Sequence, residues 1–115
     1  MKLIHRLEPL LWMIFGAGGY QLALLLPGLV LGVGLLGGLG FLPLEYERLH
    51  ALASSAVGKP FLAGFLIGLF WHCCHHLRHL ILDLGGERAA APGAYFSYAL
   101  AIVATAATVQ VLVVL

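Results

Sequence analysis

The chain is organised around residues 69–85, which read LFWHCCHHLRHLILDLG. This stretch contains four of the six histidines and both cysteines of the 115-residue chain. An α-helix turns by about 100° per residue, so five of the polar side chains fall on one stripe about 100° wide. The stripe consists of His72, His75, His76, His79 and Asp83. A polar stripe is unfavourable against lipid, so we expect it to face protein, a cofactor or water.

The composition indicates an integral membrane protein. Hydrophobic residues make up 62% of the chain and charged residues 10%, and the mean hydropathy is +1.02. A soluble domain of this size carries about 25% charged residues. The net charge of +1 gives no sign of a nucleic-acid partner. We therefore predict an all-α membrane protein whose three transmembrane helices form a helical bundle.

The apolar segments predict one membrane domain, 1–115, with spans at roughly 10–41, 60–84 and 94–115. The first segment has no formal charge from Pro9 to Leu44. As a straight helix it would be about 54 Å long, against a hydrocarbon core of about 30 Å. Two interpretations remain open: a separate interfacial piece at the start of the segment, or one long tilted helix.

The connections and distortions can also be predicted. We expect polar connections at 43–60 and 85–93, and a kink at Pro27 inside the first span. Glycines at four-residue spacing favour close helix contacts in lipid, and the cluster at 16–19 could allow either a turn or a close approach. The glycines at this spacing are Gly28 and Gly32, Gly34 and Gly38, and Gly64 and Gly68.

Basic residues near the span ends predict the orientation. With the N-terminus in the cytoplasm, the inner side collects Lys2, Arg6, Arg78 and Arg88, and the outer side collects Arg48 and Lys59. This count favours a cytoplasmic N-terminus and a C-terminus on the outside. In either orientation, Trp12 and the histidine-rich end of the second span lie toward the same membrane face.

The stripe suits two kinds of cofactor. A quinone needs hydrogen-bond donors for its oxygens and groups that titrate near neutral pH, which histidine provides. A haem needs an axial imidazole whose other ring nitrogen is held by a hydrogen bond. The i, i+4 histidine pairs could also hold Zn²⁺, but no cysteine or acid cluster elsewhere completes a tetrahedral site.

Other aromatic and sulfur-containing residues are expected to be structural. Trp71, Tyr95 and Tyr98 have the positions of aromatic anchors at the membrane boundary. Cys73 and Cys74 fall outside the stripe and are expected to be packing residues.

Several motifs resemble the D subunit of bacterial fumarate reductase, in the membrane-anchor superfamily of succinate dehydrogenase and fumarate reductase. EPLLW at 8–12 is followed by FGAGG at 15–19, then by LPL at 42–44 and YER at 46–48. The resemblance continues through Trp71, His75, His79, Asp83 and Leu84 and covers nearly the full length.

The resemblance implies a non-catalytic anchor in the bacterial inner membrane. Such an anchor pairs with a second anchor, the C subunit, and holds the iron–sulfur and flavoprotein subunits on the cytoplasmic face. Menaquinol oxidised at the anchor supplies electrons for fumarate reduction. Trp12 matches a tryptophan at the quinone site of the family, and the expected quinone-binding residues are Trp12, His75, His79 and Asp83.

The same helix is similar to the haem-bearing helix of the C subunit of succinate dehydrogenase. In that pattern His72 corresponds to the haem ligand, whereas the best-known fumarate reductase anchor of this type is haem-free and lacks this histidine. Haem b with His72 as one axial ligand therefore remains open beside menaquinone alone.

Two alternative functions also remain open. The chain could anchor a succinate dehydrogenase that contains haem b and runs in the opposite direction. It could instead be a small membrane transporter lined by the histidines, which would work without soluble subunits.

Overall fold

The computed structural model describes residues 2–43 and 45–115, without the side chains of residues 2–8 and of Leu11. The described part therefore lacks the side chains of Lys2 and Arg6, which contribute to the predicted orientation, and of Glu8, which belongs to the EPLLW motif. Leu44 lies outside it altogether. The described chain consists of helices and their connections. The helices are α1 (Lys2–Leu29), a π-helical continuation (Val30–Gly37), α2 (Tyr46–Ser54), α3 (Gly58–Gly85) and α4 (Glu87–Val114).

Three helical segments are long and apolar enough to cross a membrane. They are Trp12–Gly37, Gly58–Gly85 and Glu87–Val114. This finding confirms the predicted all-α class and the number of spans. The bounds of the helices differ from the sequence prediction, most clearly at the third span.

The first apolar segment is one long helix that changes its winding near the end. Helix α1 runs without a break to Leu29, and Val30–Gly37 is π-helical. Pro27 lacks a backbone N–H and its ring clashes with the preceding turn, so the regular ladder cannot continue unchanged. This effect falls on the turn before Pro27, whereas the π segment, in which hydrogen bonds reach from i to i+5, begins three residues after it. The kink predicted at Pro27 itself therefore stays a prediction.

The connection between α3 and α4 is shorter than predicted. Gly86 alone separates the two helices, and the region up to Pro92 belongs to α4. Gly86 has a φ of +65°, which glycine adopts without a steric penalty, and its N–H donates to the carbonyl of Leu82 at 2.8 Å. Pro92 is the sixth residue of α4, where it removes one backbone hydrogen bond, and the helix continues through it.

The other predicted connection, at 43–60, is also partly helical. Helix α2 (Tyr46–Ser54) occupies its centre and contacts α3. At the end of α2, the hydroxyl of Ser55 accepts a hydrogen bond from the N–H of Gly58 at 2.9 Å. This contact connects the short helix directly to the first turn of α3.

Helix α3 is the central element, since α1 and α4 both pack against it. The buried residues of α4 follow a helical repeat that forms a single face. They are Gly93, Ser97, Ala101, Thr108 and Leu112. Small side chains on this face allow the two helices to come close, as expected for packing in lipid.

The contact between α1 and α3 depends on glycine. A methyl group at Gly18 would collide with the carbonyl oxygen of Gly68 and would lie 2.8 Å from Cβ of His72. A methyl group at Gly19 would lie 3.0 Å from Cε1 of the same histidine. Of the two roles predicted for this glycine cluster, the structure therefore contains the close approach, and the helix does not turn here.

The remaining glycine pairs have fewer neighbours within the chain. Added methyl groups at five of these positions would meet nothing within 4 Å in the described structure: Gly28, Gly32, Gly34, Gly38 and Gly64. Gly68 is the exception, since it packs against the amide of Gln21. Helix contacts at the five open glycines stay a prediction.

We expect Gly18→Ala to lower the free energy of unfolding by about 1–3 kcal/mol, because the added methyl group forces α1 away from α3. Gly16→Ala is the matched control, since a methyl group at Gly16 meets nothing within 4 Å. Denaturant titration in detergent, followed by tryptophan fluorescence, measures both. Equal stability of the two variants would contradict this account of the interface.

Candidate functional site

The predicted site residues come together where the N-terminal half of α1 meets the C-terminal half of α3. The ring centroids of Trp12 and His75 are 6.5 Å apart, in an edge-on arrangement. The prediction that Trp12 and the histidines lie toward the same end of the bundle is therefore confirmed. Trp12 is 63% exposed, so its ring is also accessible from outside the chain.

Phe15 is the centre of this cluster, although the sequence reasoning did not include it among the site residues. Its ring stacks on His72 at a centroid distance of 4.6 Å and an angle of 13°. It also lies 4.4 Å from His75 and 5.3 Å from His76. The available signal was its spacing of three residues from Trp12, which puts both rings on one side of α1.

His72 connects the two helices by a hydrogen bond. Its Nδ1 lies 3.0 Å from the carbonyl oxygen of Phe15. A carbonyl can only accept, so Nδ1 carries the proton, and Nε2 of the neutral ring keeps its lone pair. The absence of a side chain at Gly19 leaves room for the ring. His72 therefore joins α3 to α1, and its Nε2 has no hydrogen-bond partner among the described residues.

His75 takes part in a second set of hydrogen bonds. Its Nε2 lies 3.1 Å from Nε2 of His79, and its Nδ1 lies 3.4 Å from the hydroxyl of Tyr98 on α4. This i, i+4 pair is thus joined by a direct hydrogen bond between the two rings. Both nitrogens of His75 are engaged inside the chain, which leaves His79 as the outer member of the pair.

Two of the expected membrane-boundary anchors face protein instead. The indole N–H of Trp71 donates to Oγ1 of Thr105 at 3.0 Å, and the ring of Trp71 lies 6.2 Å from that of Tyr98. Both aromatic side chains therefore belong to the packed interface of α3 and α4. Tyr95 is 79% exposed, as an anchor at the boundary would be.

The outer side of the stripe borders an open groove with a volume of about 510 Å³. The groove is lined by Cys73, His76, Leu77, His79, Leu80 and Asp83. Cys74 is buried, as expected for a packing residue, whereas Cys73 is exposed and contributes to the groove. No hydrogen bond joins Asp83 to His79 in the described chain, and both side chains remain open to a ligand or partner.

The stripe is thus divided between two surroundings. His72 and His75 are half-buried against α1, whereas His76, His79 and Asp83 are exposed along the groove. Across residues 9–10, 12–43 and 45–115, no three His, Cys, Asp or Glu side chains converge in a way that could hold a metal ion. The arrangement offers hydrogen-bond donors, imidazoles that can exchange protons, and a carboxylate beside apolar groove walls.

Comparison with known proteins identifies the family. The family model for the D subunit of fumarate reductase matches residues 3–113, which is nearly the whole chain. The chain belongs to this fumarate reductase family. Trp12, the four histidines of the stripe and Asp83 all fall inside the matched region.

Individual members of this family are similar over most of the chain. The fumarate reductase D subunit of Vibrio parahaemolyticus is 42% identical over 80 residues, covering 67% of this chain and 64% of the relative. The corresponding proteins of Aliivibrio fischeri and of a Shewanella species are each 35% identical, over 105 and 109 residues. Those two matches cover 89% and 91% of this chain and 87% and 89% of the relatives. The Vibrio match spans slightly less than two thirds of that protein's length.

Proposed function

We propose that this chain is a membrane-anchor subunit of a quinol:fumarate reductase and forms one wall of its menaquinol oxidation site. The anchor is not catalytic by itself. It attaches the iron–sulfur and flavoprotein subunits to the cytoplasmic face of the bacterial inner membrane, together with a second anchor. The observation that carries the proposal is the series of contacts from Trp12 to the groove. The ring of Trp12 lies 6.5 Å from that of His75, His75 is hydrogen-bonded to His79 at 3.1 Å, and His79 and Asp83 line the groove.

The groove has the properties of half a binding site. Its volume of about 510 Å³ is in the range of small-molecule sites, which hold about 300–1,000 Å³. Leu77 and Leu80 give it apolar walls for an aromatic ring, and His76, His79 and Asp83 provide polar groups. Because the groove is open along its length, a partner subunit is needed to cover it and to separate its polar groups from lipid.

The residues of this surface have complementary roles. The indole N–H of Trp12 is a donor suited to a quinol oxygen, and His79 can donate to or accept from a second polar group. Asp83 accepts hydrogen bonds and is positioned to take up a released proton. Menaquinol bound here supplies two electrons and two protons, the electrons passing to the iron–sulfur clusters, the flavin and then fumarate.

His72 could hold a haem b through Nε2, which would supply one-electron redox chemistry beside the quinol site. Its Nδ1 is occupied by the carbonyl of Phe15, as in many metal-bound histidines, and Nε2 has a free lone pair. The six histidines of the chain leave no second intramembrane ligand outside the stripe, since His5 and His50 belong to polar ends. A haem at this position would therefore be shared with the second anchor, and it would also fit an anchor of succinate dehydrogenase.

We expect the chain to purify in mild detergent with three other subunits: a second anchor, an iron–sulfur protein and a flavoprotein. Three spans with an uncovered polar groove should not be stable alone in lipid. Affinity purification followed by mass spectrometry measures this composition. A stable and active complex of this chain without soluble subunits would support the transporter function and contradict the anchor.

We expect Trp12→Phe to slow menaquinol oxidation about three- to tenfold, because it keeps the aromatic ring but removes one hydrogen-bond donor. Fumarate reduction with an artificial dye bypasses the anchor and should stay near the wild-type rate. Tyr20→Phe is the control, since Tyr20 is an exposed aromatic residue on the same helix. If both activities fall together, or if neither changes, Trp12 is only a membrane anchor.

A reduced-minus-oxidised spectrum of the purified complex distinguishes the two cofactor hypotheses. If His72 is an axial ligand, the wild-type complex has a b-type α-band and His72→Ala loses it. If the wild-type complex has no haem band, the haem hypothesis is wrong. His72 then has only its structural contact with Phe15, and the stripe serves the quinol alone.

A further inference from the structure

We propose that Tyr98 is a positioning residue of the quinol site. Acting through His75, its hydroxyl determines which nitrogen of His79 carries a proton toward the groove. This inference rests on the proposed function, because it assigns His79 to a quinol oxygen. Tyr98 itself lies behind His75 and does not line the groove.

In this proposal, the chemistry of the donors and acceptors along the hydrogen-bond chain assigns one tautomer to each ring. Among the described side chains, the hydrogen-bond partner of the Tyr98 hydroxyl is Nδ1 of His75, at 3.4 Å. A phenol hydroxyl donates well and an imidazole nitrogen accepts well, so the proton of Tyr98 points at Nδ1. The neutral ring of His75 then carries its own proton on Nε2 and donates it to Nε2 of His79 at 3.1 Å.

His79 is consequently left with its proton on Nδ1. Since Nε2 of His79 is occupied by His75, Nδ1 is the ring nitrogen left for a ligand in the groove that His79 lines. The groove thus contains an N–H donor from His79 and an acceptor from Asp83. A quinol hydroxyl both accepts and donates, so this pair of groups complements one hydroxyl of the substrate.

Packing keeps Tyr98 in its place. Its ring lies 6.2 Å from that of Trp71, whose N–H donates to Thr105. The neighbouring Ser97 and the nearby Ala101 are fully buried, which fixes this part of α4 against α3. The hydroxyl is therefore presented by a rigid element, as a group that sets another group's tautomer must be.

Loss of the Tyr98 hydroxyl should allow His75 and His79 to change their tautomers. Without Tyr98 as donor, Nδ1 of His75 can carry the proton, and Nε2 can then accept from His79. In that arrangement Nδ1 of His79 faces the groove with a lone pair, and the N–H donor is lost. The substrate can still enter, but fewer complexes have the correct hydrogen bond for oxidation.

The test compares Tyr98→Phe with Tyr95→Phe in the complete complex. Tyr98→Phe keeps the aromatic ring against Trp71, and Tyr95→Phe removes an exposed hydroxyl from the same helix. Solid-state NMR of the complex with ¹⁵N-labelled histidine separates protonated from unprotonated ring nitrogens. The signals of His79 are assigned as those that disappear in His79→Gln.

We expect His79 to be protonated at Nδ1 in the wild type and in Tyr95→Phe, and to be a mixture of tautomers in Tyr98→Phe. We also expect kcat for menaquinol oxidation to fall about three- to tenfold in Tyr98→Phe with little change in KM. Dye-linked fumarate reduction should be unchanged in all three proteins.

An unchanged tautomer of His79 in Tyr98→Phe, or a proton on Nε2 of His79 in the wild type, would overturn the inference. If the tautomer changes but menaquinol oxidation does not, His79 has no part in the reaction and its functional assignment is wrong. A wild-type complex that reduces fumarate with dye but does not oxidise menaquinol would instead refute the proposed quinol site. The failure of the inference and that of the proposed function are thus distinguishable.

Discussion

The close approach of α1 and α3 at Gly18 and Gly68 is the constraint on which the site depends. Only a helix without side chains at this contact can come near enough for the Phe15 carbonyl to accept a hydrogen bond from His72. The same approach puts the Phe15 ring among three histidines. A wider separation would leave polar imidazoles facing lipid, where each missing hydrogen bond is expensive.

Several polar side chains of the bundle are paired within the chain. His72 donates to a backbone carbonyl, and Trp71 donates to Thr105, whose hydroxyl in turn donates to the carbonyl one turn earlier at 2.8 Å. Such pairing is how polar side chains are retained in a membrane bundle. Two buried oxygens, Oε1 of Gln21 and the hydroxyl of Ser97, have no such partner in the described structure. The exposed polar groups of the stripe, His76, His79 and Asp83, lie along the groove, where a ligand or a partner subunit could use them.

Much of the architecture could be predicted from sequence because hydrophobicity and helical spacing are local properties. They predict three spans and the common location of Trp12 and the histidine stripe. The short turn at Gly86 was missed because Pro92 and Gly93 resemble a loop, whereas α4 continues through both residues. Helix α2 was missed because its polar residues are equally typical of a connection.

The site itself could be predicted only in part. Periodicity groups the five polar residues, but it cannot say that His72 and His75 turn toward α1 while Asp83 borders a groove. That division depends on how α1 crosses α3, which is a tertiary property. The roles of Phe15 and Tyr98 were hidden for the same reason, since each depends on a partner in another helix.

The single-residue turn at Gly86 determines how the residues of α3 and α4 are aligned along the bundle. Helices α3 and α4 are each 28 residues long and run in opposite directions from Gly86, so contacting residues lie at similar distances from this turn, to within about one helical turn. His75 precedes Gly86 by eleven positions and Tyr98 follows it by twelve. The position of Gly86 therefore sets which residues of α3 and α4 face each other. One residue inserted in the first turn of α4 would shift the rest of this helix by about 1.5 Å and rotate it by about 100°. All later contacts between α4 and α3 would then lose their register together.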